Sequence, residues 1–443
     1  MRVGQGPAKP RSTRPPSSQI IALLGVTMAT TVSNLAQTTV LGLLVYRLTG
    51  SELDLGFLGL AEFAPAAVLV VLAGAVVDRF DRRRVAAAGS AANAVVAFAL
   101  AWYVRRPEHI SVTPIFLLVL AFGAGQAFLS PAQRSIPSSM VPNDIVPWLV
   151  ARRSIASEIG MIVGPVFGGF LYGAGVWVPL VAVAALSVVA AGGVLTIKLP
   201  GEARARPATE TGVGSLGNVG RDEQVDHVPE DGIPATRGGL HEALEGLRFV
   251  RAQSVLLGAI SLDLFAVLFG GAVTLLPAIA VRLGVGAVGL GWLRAAGGLG
   301  AGAMTLVISF RPVQRRVGRV LLGVVAVFGI WTIVLGFTHS YALAFIAMFG
   351  LSAADAVSVF IRSTLVPLAT PPEMRGRVLA VENVFIGASN QLGGFESGAL
   401  GQLVGTTGSI VIGGIGTLAV ALAWGVLFAP LRRVDRFPTP PEP

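Results

Sequence analysis

The sequence contains no cysteine. That excludes disulfides, thiolate metal sites and thiol nucleophiles. Lysine is nearly absent: Lys9 is followed by Pro10 and Lys198 by Leu199. Neither can complete a Gly-Lys-Ser/Thr phosphate loop, so the chain carries no nucleotide motor of its own. The histidines (His109, His227, His241, His339) fall in loops or at the ends of apolar segments, and neither HExxH nor GxSxG occurs. An enzyme would lack a nucleophile or metal cluster here, so neither an enzymatic activity nor a cofactor is expected. Charge is scarce as well: 13% of residues are Asp, Glu, Lys or Arg, against about 25% in soluble proteins.

What fills the chain is apolar, with 53% hydrophobic residues. Runs of about 20 such residues recur, each long enough to cross a hydrocarbon core as a helix. Twelve spans are expected, near 19–46, 54–78, 85–104, 114–140, 147–172, 176–198, 254–281, 286–310, 320–338, 341–368, 378–404 and 408–430. The first is too long for a signal-peptide core and reads as a retained helix. The organisation follows: a tail (1–18), a six-helix half (19–198), a polar loop (199–253), a second six-helix half (254–430) and a tail (431–443). The loop has the Gly, Pro and acidic content of disorder at its centre, and its end, "GGLHEALEGLRFVRAQ", has the spacing of a short surface helix.

The net charge of +9 reflects loops rather than a nucleic-acid patch, because arginine collects on one side of the spans. With the N-terminus inside, that side holds the 78–84 run, Arg152, Arg153, "RPVQRRVGR" and "LRRVDR", while the other keeps Arg47, Arg105, Arg106 and Arg282. Both termini are expected in the cytoplasm, and the arginines are placed to meet lipid headgroups. A shift of 225 residues lays "IPSSMVPNDIVPW" on "IRSTLVPLATPPE" and "GGFLYGA" on "GGFESGA". This pairs Pro142 with Pro367, Pro147 with Pro372, Arg152 with Arg377 and Gly168 with Gly393. Two related halves with a site near the bilayer midplane are a transporter plan.

Two stretches carry a family resemblance. "GAVVDRFDRRR" (74–84) resembles the signature loop between helices 2 and 3 of the major facilitator superfamily, through Gly74, Asp78, Arg79, Arg82, Arg83 and Arg84. Asp81 stands where that pattern usually has glycine. "GMIVGPVFGG" resembles the helix-5 antiporter motif of its exporters, through Gly160, Gly164, Pro165, Gly168 and Gly169. "AEFAPA", "SLDLFAVLFGG" and "LRAAGGLGA" look like the enterobactin-exporter branch. The resemblance implies an all-α major facilitator fold of two pseudo-symmetric six-helix halves. It also implies a bacterial inner-membrane location and export of a siderophore or drug-like amphiphile by proton antiport. A monomer is expected to suffice. A proton-coupled importer and a lipid transporter or scramblase are the alternatives. In that fold Asp78 would meet the start of helix 11 and latch the halves while the cavity opens outward.

Charges inside the bilayer are costly and mark function or pairing. Asp263 lies roughly 13 Å into helix 7 and is a candidate for a proton or a cation. Asp355 and Arg362 share a face of helix 10, and Arg362 either lines the cavity or snorkels. Glu62 and Arg294 occupy equivalent positions of the two halves, and depth arithmetic puts Arg294 level with Glu158, so an interaction between them that breaks or forms during the cycle is expected. Helix 11 carries a polar stripe that includes Asn383 and Asn390, with Glu382 and Glu396 beside it. Asn34, Gln37 and Gln126 are further cavity candidates.

Overall fold

The computed structural model describes residues 17–106, 110–142, 145–199 and 239–438. The N-terminal tail, the centre of the long loop and the last residues lie outside them. The first half contains α1 (Ser17–Thr49), α2 (Glu52–Arg79), α3 (Arg82–Val104), α4 (Val112–Met140), α5 (Val146–Tyr172) and α6 (Trp177–Thr196). The surface helix α7 (Gly239–Ala252) precedes the second half. That half holds α8 (Ser254–Phe269), α9 (Leu276–Arg282), α10 (Gly286–Phe310), α11 (Val317–Phe337), α12 (Tyr341–Leu368), α13 (Pro372–Leu427) and the short α14 (Ala429–Arg433).

Two departures from the expected spans have local causes. The seventh span is broken: a 3-10 turn, Gly271–Leu275, separates α8 from α9. Pro277 has no N–H to donate and stands in the first turn of α9, where that N–H would have no partner within the helix. Conversely, spans eleven and twelve are the two arms of α13. Gly405, with φ 78 and ψ 162, turns the chain between them, a conformation that only glycine takes readily. Ten of the described helical segments are long and apolar enough to cross a membrane. The packing of α2 among them and the second arm of α13 complete twelve.

The halves repeat one packing scheme. In the first, α1 lies on α5, α2 on α4, and α3 on α4 and α6. In the second, α8 lies on α13, α10 on α12, and α11 on α12 and α13. The shared glycine of the sequence repeat shows why. A Cβ on Gly168 would stand 2.9 Å from the Ala36 Cα of α1, and one on Gly393 2.6 Å from the Val267 carbonyl of α8. Each glycine seats the fifth helix of its half directly on the backbone of the first.

Across the halves α2 meets α13 and α5 meets α10. These approaches are concentrated at one end. Call the end bearing Ser17 and α14 the tail end, and the opposite one the far end. The largest apolar cluster, at the far end, is shared by both halves and includes Leu44 and Leu55 with Leu276 and Leu293. Toward the tail end the core divides. One cluster around Leu129 and Leu149 belongs to the first half, and another around Leu262 and Leu365 to the second. The halves are therefore sealed at the far end and parted toward the tail end.

Candidate functional site

Between the halves lies a chamber of three adjoining lobes. A lobe of about 440 Å³ is lined by Glu62 of α2, Arg294 of α10, Asp355 of α12 and Asn390 of α13, among others. A second of about 430 Å³ adds Glu158 of α5 and shares Arg294 and Asp355. A third of about 480 Å³ holds Asp263, Arg362, Glu382 and Asn383, and shares Asp355 and Asn390. Asp355 thus touches every lobe.

Small residues aim these charges. Gly123 of α4 sits under Glu62, where a Cβ would fall 2.1 Å from the Glu62 carbonyl. In α10, "LRAAGGLGAG" is thin on two sides. A Cβ on Gly298 would meet Ile162 of α5 at 2.9 Å, and one on Gly300 the Phe349 carbonyl of α12 at 2.1 Å. That helix therefore approaches both neighbours closely, with Arg294 turned into the chamber.

Arg362 is buried at 5% exposure, so it does not snorkel. Its Nη2 stands 2.8 Å from Asp263 Oδ1, and its Nη1 4.0 Å from Glu382 Oε1. Nε donates to Ser358 Oγ at 3.4 Å. Asp263 of α8 therefore has a charged partner on α12, which its own sequence neighbourhood does not reveal. Glu382 completes the cluster; read only as a neighbour of the polar stripe, it gives no sign of its partner.

Arg294 behaves differently. Glu158 and Arg294, expected to interact in one part of the transport cycle, line one lobe here with no N–O distance within 4.0 Å between them. Arg294 instead feels Glu62 across the chamber. Gln37 is buried in the first half with both amide atoms unpartnered, because it lies one residue, and so about 100° of helix, from the lining residue Thr38. Neither it, Asn34 nor Gln126 lines the three lobes; α4, which bears Gln126, packs against α2 and α3 instead. Glu396 also lies off the chamber, within reach of Ser397 Oγ at 3.4 Å.

The far-end seal has its own polar network. Thr406 Oγ1 donates to Glu52 Oε1 at 2.6 Å, a bond between halves. Tyr46 interacts with both. Arg282 donates to Thr407 Oγ1 and, at 3.2 Å, to the Thr338 carbonyl. Gly405 aims both threonines by turning the chain just before them.

A sequence profile of the Major Facilitator Superfamily matches residues 20–385. The chain belongs to the major facilitator superfamily. It is accordingly a transporter and not an enzyme. Solved transporters share its fold at low identity. A bacterial homolog of the human lysosomal transporter Spinster, inward-facing and unoccupied, is 15% identical with a TM-score of 0.61, covering 95% of this chain and 97% of its own. The nucleoside transporter NupG is 16% identical with a TM-score of 0.65, covering 94% and 99%. A D-xylose-proton symporter is 16% identical with a TM-score of 0.64, covering 94% and 98%. No curated protein matches the chain in sequence.

The transporter's two motif stretches have separable parts. In the helix-5 stretch, Gly160, Gly164 and Gly168 face Thr31, Val32 and Ala36 of α1, within the half. Gly169 faces the Ala287 carbonyl of α10, and the Pro165 carbonyl lies under Gly291 of the same helix. One face holds the half together and the other seals it to its partner. In the loop stretch, the Asp78 side chain lies outside the described residues, as does any latch it makes. Gly74 has no neighbour within 4 Å of a Cβ, and Arg79 is exposed. Arg82 donates to Ser139 of α4. Asp81 caps α3, accepting from the Arg83 N–H at 2.9 Å and pairing with Arg83 Nη2 at 2.9 Å. Its φ is −57, so the turn needs no glycine.

Proposed function

We propose that this transporter is a proton-driven exporter of a small amphiphilic molecule in a bacterial cytoplasmic membrane, with both termini inside. The observation that carries the coupling is the buried Asp263–Arg362–Glu382 cluster opening onto the chamber. One guanidinium faces two carboxylates, with Asp355 two turns away. Charge in so dry a place is balanced by pairing or by a proton. A proton arriving at Asp263 frees Arg362 to turn wholly to Glu382, and loss of that proton restores the first pair. Two arrangements of one buried arginine give the halves a charge-dependent preference, and alternating access needs such a bistable element.

Arginine on the tail-end loops supports the orientation. In that frame the far-end seal is the outer gate and the parted tail end the cytoplasmic mouth, so the chamber is poised to load from the cytoplasm. Export is supported by the helix-5 motif, whose outer glycine seam closes α5 on α10. Siderophore-like and drug-like molecules fit an apolar chamber of this size with a few polar groups. A single subunit contains the whole chamber.

The test is pH-gradient-driven flux in proteoliposomes against a panel of siderophores and cationic drugs. Substrate should move against the proton gradient, and Asp263→Asn should abolish the dependence on that gradient. Unchanged pH dependence in Asp263→Asn would remove this cluster from the coupling. Substrate moving with protons would replace export by symport.

A further inference from the structure

Most buried charges of this protein are answered by the protein itself. Arg362 is shared by two carboxylates, Arg282 by a threonine and a carbonyl, and Glu52 by Thr406. Apart from the Nε of Arg282 at the far end, the unpartnered ones cluster in the central lobes. Glu62, Arg294 and Asp355 are part-buried, line one space within the span, and make no hydrogen bond or ion pair within 4.0 Å with any described residue. The Nε of Arg294 is fully enclosed and unpartnered, as is one carboxylate oxygen of nearby Glu158. Leaving such groups unsatisfied is costly unless something else binds them.

The set contains both signs. Glu62 comes from one half, and Arg294 and Asp355 from the other. Gly42 of α1 lies beside the guanidinium, where a Cβ would meet Nη2 at 3.7 Å, an ordinary contact. A ligand bearing only a positive charge would leave the donors of Arg294 empty. One bearing only a negative charge would add to Glu62 and Asp355. The other walls mix apolar residues, among them Leu55, Leu58, Val267 and Leu351, with polar ones such as Thr274, Asn390 and Gln391.

We propose that the central lobe binds a zwitterion. Its oxyanion rests on Arg294, its ammonium lies between Glu62 and Asp355, and its apolar body lies against the leucines. Arginine suits the first role because its planar fork of donors matches a carboxylate in two bonds. Because Glu62 belongs to one half and Arg294 and Asp355 to the other, the ligand bridges the interface that must rearrange in transport. This inference rests on the chamber's being the transport site. It narrows the cargo to molecules that carry both an amine and an acid.

Isothermal titration calorimetry on the purified full chain tests it with three probes of one shape: the dipeptide phenylalanyl-phenylalanine, its C-terminal amide (cation only) and its N-acetyl form (anion only). The dipeptide should bind at least about tenfold tighter than either. Arg294→Gln should erase the preference over the amide, and Glu62→Gln the preference over the acetylated form. Should Arg294→Gln fail to fold, Arg294→Lys, which keeps the charge, must retain that preference. Equal binding of dipeptide and amide by the unaltered protein overturns the proposal, and so does failure of all three to bind. The readout is binding alone. Loss of gradient-driven flux with intact zwitterion preference would sink the exporter reading and leave this one standing.

Discussion

The two halves share a packing scheme and differ in what they bury. At the seam of the first half, α1 is unbroken and Ala36 lies under Gly168. At the matching seam of the second, Val267 and Leu268 lie under Gly393, and the helix breaks a few residues later. Asp263 stands four residues before Val267. The matching turn of α1, four to five residues before Ala36, carries Thr31 and Val32, and Thr31 merely bonds back to the Thr27 carbonyl at 3.0 Å. Among the described residues the first half has no interior ion pair, while the second has the Asp263–Arg362–Glu382 cluster. One half is thus the plainer support, and the other carries the buried charge cluster about a turn and a half before a helix break. Duplicated packing fixes the shape of the bundle and leaves its chemistry free to diverge.

The largest effect should come from breaking that cluster. Arg362→Met leaves Asp263 and Glu382 buried without their cation, a change that costs about 3–5 kcal/mol for buried pairs. Arg294→Met removes a part-buried arginine that lines the chamber and has no close partner among the described residues, and should cost far less stability. Thermal unfolding of the two variants in detergent, side by side, separates the paired from the unpaired arginine. Equal destabilisation would mean that Arg294 is held by the protein after all, and that the contrast between cluster and chamber is false.

The break in the second half offers the next effect. A Cβ at Gly271 would lie 2.2 Å from the Gly393 carbonyl, so Gly271→Ala must push α13 away. Overpacking of this kind costs about 1–3 kcal/mol. Gly25 of α1 has nothing within 4 Å of a Cβ, and Gly25→Ala should be neutral or slightly stabilising, since alanine favours helix. Unfolding midpoints and transport rates of both variants check the pair.

Much of this architecture was legible in the sequence because it is written in local rules. Span length, arginine asymmetry and the glycine–proline repeat depend on neighbours in the chain. Breaks are local too, and Pro277 after the Gly270–Gly271 pair carried the signal for the split of the seventh span, though length alone merged it. The partners of buried charges are not local. Asp263, Arg362 and Glu382 come from three helices, and which arginine turns toward which acid depends on small residues such as Gly123 and Gly298 that set helix separations. Hence Arg294 faces Glu62 rather than Glu158. The far-end bond of Thr406 to Glu52 was hidden for the same reason, because a threonine after a glycine turn looks like any loop.

That bond sharpens the comparison at the interface. Glu52→Gln keeps the shape and removes the charge of the acceptor, weakening a bond worth about 1.5–3 kcal/mol in full. The population should shift away from the state sealed at the far end. With no native cysteine, a cysteine pair at Phe57 and Phe395, whose rings lie 5.2 Å apart, reports far-end closure. Cross-linking yield should fall severalfold in Glu52→Gln. An unchanged yield would assign closure to the glycine seams alone.

The smallest effect concerns Asp81, where the first half departs from its family pattern. Two explanations of that position make opposite predictions. If the turn needs the conformational freedom of glycine, Asp81→Gly should stabilise the protein. The backbone there has a negative φ, and the carboxylate caps α3 while holding Arg83, whose Nη1 in turn reaches the Ile197 carbonyl at 2.9 Å. Loss of such a cap to alanine costs about 1 kcal/mol, and to glycine only a few tenths. Chemical unfolding should therefore rank the natural residue above Asp81→Gly, and Asp81→Gly above Asp81→Ala. A glycine variant more stable than the natural chain would return the turn to the family's rule. The expected ranking makes Asp81 a substitute that reaches the same turn by capping the helix instead of freeing the backbone.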